Sequence, residues 1–228
     1  MNEPAINAYI TNLGKYNEGI LAGEWLALPT TTEQMQQTLK NIGIDGICYE
    51  EYFITDYETS VNGLYNILPE YANLDELNYL ASVLDELPED DLEKLEAAVE
   101  YGDHTGSVKD IINLAQNLDC YDYYPDIHNE EDLGCYWIEE SGCYEVPENW
   151  AAYIDYEKFG RDIAMNESST FTEGGYVVNN GDGFQEYYDG KEIPDEYKVF
   201  AYPKREKTPQ KKHDPEQRHK PQPSRDER

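Results

Sequence analysis

The chain has 228 residues, 39% of them apolar, and carries 48 Asp and Glu against 17 Lys and Arg, a formal charge of −31. That length suits one ordinary domain or two or three small ones. The charge disfavours direct binding to nucleic acid or to anionic membranes, and it favours partners whose own surface is basic. Simple acidic disorder fits poorly with 21 Tyr, 3 Trp and 5 Phe, which are costly to leave exposed. Residues 1–200 hold 43 acidic and 8 basic residues, a net of −35, whereas 201–228 hold 9 basic and 5 acidic.

In chain order, Ala5, Ile6, Ala8, Tyr9 and Ile10 read as a strand, and Trp25 to Leu28 as a second. Between them Gly14, Gly19 and Gly23 make the segment too glycine-rich for a stable helix. Thr31 stands three before Gln34 at capping-box spacing, and Met35, Leu39 and Ile42 then recur at helical intervals up to Gly43. Cys48 to Tyr57 reads as a third strand. Residues 3–62 form an N-terminal α+β unit on this reading.

Residues 63–119 read as all-helical. Asn73 and Glu76 are placed to cap a helix with a Leu74, Leu77, Leu80, Ala81 and Leu84 stripe. Pro88, then Glu89, Asp90 and Asp91, suit the start of the next helix, which Gly102 ends. Ser107, with Asp110 three residues on, opens a third helix.

Residues 120–190 read as a second α+β unit. Tyr121 to Ile127 give a strand or ordered loop, and Glu130 to Glu140 a helix with Leu133, Trp137 and Tyr136 inward. A short helix follows Pro147 with Trp150 and Tyr153. Another, capped by Asp155, is expected to bury Phe159 and Ile163. Thr170 to Tyr188 has the pattern of a β-hairpin, with Gly181-Asp182-Gly183 expected to extend or close its turn. Residues 191–228 are expected to be a basic tail, disordered from Lys204 on, where no aliphatic residue remains. The fold class is thus α+β, with three small successive units arranged lengthwise (mixed, helical, mixed) and a C-terminal tail.

No motif for catalysis stands out. There is no G-x-x-x-x-G-K-[ST], no H-E-x-x-H and no G-x-S-x-G, and His104, His128, His213 and His219 are far apart. Cys48, Cys120, Cys135 and Cys143 show no C-x-x-C spacing, and neither a signal peptide nor a transmembrane run accompanies them. Free thiols in a cytoplasmic protein are expected, with a zinc site from Cys135, Cys143 and a histidine as the minor alternative. The chain is expected not to be an enzyme and to hold no cofactor or metal.

What remains is the charge. B-DNA carries one phosphate per about 1.7 Å of axis, so the net charge of residues 1–200 would match about 60 Å of duplex at most, and a dimer about 120 Å. The candidate partner-binding surface is distributed over Glu76, Asp85, Glu86, Glu89, Asp90, Asp91, Glu93, Asp110, Asp119, Asp122, Glu139, Glu140 and Glu145. The bland alternative is a protein that is acidic for solubility only.

Two stretches point to one family. Leu13 to Gly19 reads LGKYNEG and is followed by Gly23, Trp25 and Pro29 as G-x-W-x-x-x-P. Further on, Glu145, Pro147, Trp150, Tyr153, Ile154, Asp155, Tyr156, Glu157, Gly160, Arg161 and Asp162 form a second pattern, and Asp56 to Glu58 and Leu87 to Glu89 fit between. Over about residues 5–188 the chain resembles the ArdA family of antirestriction proteins.

The resemblance implies an elongated, acidic, three-unit homodimer that imitates bent B-DNA. Such a protein occupies the DNA-binding groove of type I restriction-modification enzymes, on their methyltransferase core, and protects incoming mobile DNA. It also implies an antirestriction segment at Leu133, Trp137, Ile138, Glu139, Glu140, Gly142, Glu145, Val146 and Pro147, and a dimer contact in the third unit. Neither nucleic acid nor membrane is implied as a partner. The alternative is an acidic DNA mimic or chaperone-like protein directed at another basic DNA-binding protein. The basic tail is an addition to the family pattern.

Overall fold

The computed structural model describes residues 4–151 and 153–204. The chain is built from mixed α and β elements around two small sheets.

The first sheet is antiparallel, with β1 (Ile6–Asn12) between β2 (Gly23–Leu28) and β3 (Tyr52–Thr59). Alternate side chains of β1 point inward, so Ile6, Ala8 and Ile10 are fully buried. The helix α2 (Thr32–Ile42) covers that face with Met35, Leu39 and Ile42, and its Thr31–Gln34 capping box forms.

Two local readings change here. The glycine-rich segment after β1 holds one helical turn, α1 (Leu13–Asn17). It is too short to be stable by propensity. Instead the Asn12 side chain accepts the Lys15 amide at 2.9 Å, and Lys15 Nζ donates to the Ile42 carbonyl at 3.0 Å. The third strand starts later than Cys48, because Asp45 Oδ1 gathers the amides of Ile47, Cys48 and Tyr49 into a tight loop. Those three donors hold the Asp45 carboxyl below its ordinary range.

The helical layer consists of α3 (Leu74–Glu86), α4 (Glu89–Tyr101) and α5 (Val108–Ala115). Ser107 caps α5 as the sequence predicts. At α3 the expected capping box is not made: Asn73 accepts the Asp75 amide, and Glu76 turns away to a different partner. Pro88 starts α4 as its N-cap, with Glu89, Asp90 and Asp91 in the first turn as the sequence predicts.

The second sheet has β6 (Gly175–Asn179) between β4 (Tyr121–Tyr124) and β5 (Ser169–Thr172), again antiparallel. The hairpin turn is Glu173-Gly174, and Gly181 to Gly183 lie past the last strand. Against this sheet pack α6 (Glu130–Cys135), which widens into a π-type turn over Tyr136–Glu140, and α8 (Tyr156–Asn166), with the short α7 (Glu148–Ala151) between them in sequence. On α8 the fully buried residue is Gly160, while Phe159 and Ile163 are only half-buried.

One apolar core runs from Ala5, just before β1, through α3, α4 and α5 to Val177 in β6. A smaller cluster of Ile127, Leu133 and Tyr176 lies within the last unit. The expected tail boundary at 191 is not observed. Residues 184–202 run back over α5 and α3 to the first sheet, and Tyr188 and Val199 join the main core. Ile193, Tyr197, Val199, Phe200 and Tyr202 supply apolar area that a solvated tail lacks. The expectation of disorder over Lys204 to Arg228 lies, past Lys204, outside the described residues.

Candidate functional surface

The acidic residues of the helical layer are ordered by helix geometry. The apolar stripe of α4, Leu95, Ala98 and Val99, is buried, so the opposite face must be polar. Glu89, Asp90 and Asp91 occupy its first turn, where the helix dipole favours negative charge. Glu93, Glu96 and Glu100 continue along the helix at spacings of three and four. Asp85 and Glu86, exposed at the end of α3, precede them.

Two open grooves flank this line. One, of about 560 Å³, is lined by Asp90, Asp91, Glu93, Lys94 and Asp122, with Tyr123, Tyr124 and Pro125. The other, of about 490 Å³, brings Glu93, Glu96 and Glu100 together with Glu173 of the hairpin turn. Carboxylates from α4 and from the second sheet therefore face the same grooves.

Some of these charges are held in place. Glu96 accepts the Asn62 amide at 2.8 Å, and Glu100 accepts the Glu173 amide at 3.0 Å. Glu96, Glu100 and Glu173 are not among the residues expected from sequence. The first two could have been found, since they follow Glu93 at helical spacing on the face away from Leu95. Glu173 could not, because only the sheet register brings it near α4.

Among the described residues, few basic groups neutralise this surface. The ion pairs formed by Lys109, Arg161, Lys191 and Lys198 engage Glu186, Glu130, Glu157, Asp189 and Asp195, all of which lie off α4. Among the described residues no group of three or more His, Cys, Asp or Glu is placed to hold a metal.

Two expected surface acids are occupied elsewhere. Glu76 is half-buried and accepts the Tyr188 hydroxyl at 3.0 Å, and burial raises its pKa above the ordinary carboxylate value. Asp110 accepts the Ser107 hydroxyl at 2.7 Å inside the α5 cap. Asp119 and Asp122 are exposed near the second sheet, and Glu139, Glu140 and Glu145 are exposed in the last unit.

The segment from Leu133 to Pro147 divides between interior and surface. Leu133 and Ile138 are buried, and Trp137 is half-buried against the small core. Gly142 takes a φ of +69°, which ends the helical path. Glu139, Glu145, Val146 and Pro147 line one open groove of about 600 Å³ with Tyr144 and Tyr156. There the Tyr156 hydroxyl donates to Glu139 at 2.5 Å, and this bond is the main reason its pKa is pushed up to about 12. Close by in sequence, Trp150 is 63% exposed and Tyr153 86% exposed.

Comparison with curated proteins gives no match. A profile of the ArdA family, described as antirestriction protein, matches residues 8–178. That span runs from within β1 to within β6 with the acidic face of α4 inside it, and membership supports a general antirestriction, DNA-mimic role. The chain belongs to the ArdA family of antirestriction proteins.

Proposed function

We propose that the protein inhibits type I restriction-modification enzymes by occupying the DNA-binding groove of their methyltransferase core. On this reading it acts in the cytoplasm as an elongated homodimer joined through the last unit, protects incoming mobile DNA and catalyses nothing. The observation that carries the reading is the line of carboxylates from Asp85 to Glu100. It continues into Asp122 and Glu173, in a body with a net charge of −35 over residues 1–200. A row of fixed negative charges offers a basic groove what a phosphate backbone offers it, including release of counterions on binding.

Solubility alone would call for dispersed charge. Here Glu96 and Glu100 are oriented by backbone amides from neighbouring segments, which reduces the ordering cost of presenting them. The test is competition between this protein and DNA for a purified methyltransferase core. Displacement of DNA at low salt is the expected result. Failure to displace it would overturn the reading and leave another basic DNA-binding protein as the target.

A further inference from the structure

Residues 184–202 lie beyond the span matched by the family profile, yet they are tied to the body at every few residues. Apart from a 3-10 turn at Asp195–Tyr197 this segment is irregular, and without a strand partner it must satisfy its backbone groups some other way. Here polar side chains from α3, from α5 and from the turn just after α5 do so. Asn117 accepts the Gln185 amide and donates to the Gln185 carbonyl, both at 2.8 Å. One turn earlier, Asn113 accepts the amides of Tyr187 and Tyr188 at 2.8 and 2.9 Å and donates to the Tyr188 carbonyl at 2.8 Å. On α3, Asn78 donates to the Tyr197 carbonyl, and Asp75 Oδ1 accepts both the Val199 and Phe200 amides at 2.6 Å.

The far end reaches the first unit. Phe200 packs on Tyr52 of β3, the Tyr202 hydroxyl donates to the Glu50 carbonyl, and Gln36 of α2 donates to the Tyr202 carbonyl. Asn78 also accepts the Thr30 amide, so one side chain joins α3, the β2–α2 connection and the returning segment. Asn78, Asn113 and Asn117 are 3% exposed or less. Asparagine is a poor helix former, and burying it unbonded is costly, so three of them facing one segment mark a matched interface.

We infer that residues 184–202 are a brace that locks the first unit to the helical layer and so fixes the placement of the first unit relative to the last. The inference does not depend on the inhibitor reading, because its readouts are exchange and distance rather than binding. In the wild-type full chain, the amides of Tyr187, Tyr188, Val199 and Phe200 should exchange with solvent as slowly as those of α3 and α5, in one cooperative opening. Faster, independent exchange of these four would overturn the brace.

The second arm uses spin labels on genetically encoded residues at positions 33 and 131, both exposed, on α2 and α6. The double variant Asp75→Leu with Asn113→Leu should speed exchange of 187–200 by at least about tenfold. It should also broaden the label-to-label distance distribution. Asp75→Asn keeps the accepting oxygen and should leave both unchanged. A released segment with an unbroadened distance would refute the inference. If the double variant does not fold, the wild-type exchange pattern decides the matter.

Discussion

Gly160 of α8 lies directly against Gly134 of α6. A Cβ on Gly160 would sit 2.8 Å from the Gly134 amide nitrogen and overlap the carbonyl oxygen of Glu130, and a Cβ on Gly134 would overlap the carbonyl of Tyr156. The two helices therefore touch through their backbones, and the small core of Ile127, Leu133 and Tyr176 closes beneath that contact. Because the obstructing atoms are backbone, no side chain can move aside. Gly160→Ala or Gly134→Ala should each destabilise the last unit by about 1–3 kcal/mol. Chemical unfolding followed by Trp137 and Trp150 fluorescence measures this. A loss below about 0.5 kcal/mol, the range of ordinary surface changes, would show that the contact is looser than described.

Glu76 gives a pH dependence of known sign. Burial raises its pKa in the folded protein above the ordinary value of 4.5, with the Tyr188 hydroxyl partly opposing. The folded state thus holds this proton more tightly than the unfolded state. The stability it contributes is complete below the unfolded value and is lost as pH rises through the folded one. Glu76→Gln should therefore stabilise the protein at pH 7, by less than about 1 kcal/mol because solvent still screens the group. The gain should vanish below about pH 4. Thermal unfolding of both proteins across that range checks it; a gain that grows as pH falls would reverse the assignment.

The elements were legible where a single local rule decides them. The Leu74 to Leu84 stripe, the Ser107 cap and the Asp155 cap each appear as the sequence predicts, because periodicity and capping act within a few residues. The α1 turn was hidden because its stability comes from Asn12 and Ile42 rather than from its own sequence. The returning segment was hidden for a related reason. Its apolar residues are spaced without a period, and its partners Asp75, Asn78, Asn113 and Asn117 lie about 70 to 125 residues away. Those polar residues on otherwise apolar helix faces were the available signal. At the candidate surface, composition announced the charge and the Ser107–Asp110 spacing the local cap, but only the fold could say that Glu76 faces Tyr188 while Glu173 joins the α4 line.

The exposed aromatic residues of the last unit bear on association. Trp150, Tyr153, Tyr144 and Met165 are all exposed, an amount of apolar surface that a second copy would cover. Sedimentation at micromolar concentration should show a dimer. Added salt should strengthen it, since two strongly acidic chains repel each other and salt screens that repulsion. Trp150→Ala should shift the equilibrium toward monomer without loss of fold. A monomer at all salt concentrations would refute the dimer.

The most direct test of distributed charge mimicry is a set of Asp→Asn and Glu→Gln changes in groups of one, two, four and eight. They are drawn from Asp85, Glu86, Glu89, Asp90, Glu93, Asp122, Glu139 and Glu140, and each protein is titrated against the methyltransferase core at several salt concentrations. Exposed charge pairs contribute about 0.2–1 kcal/mol each, so a single amide should barely matter and eight should erode binding steadily. Affinity should also fall steeply as salt rises. Loss of binding from one acid with the fold intact, or affinity indifferent to salt, would contradict the account.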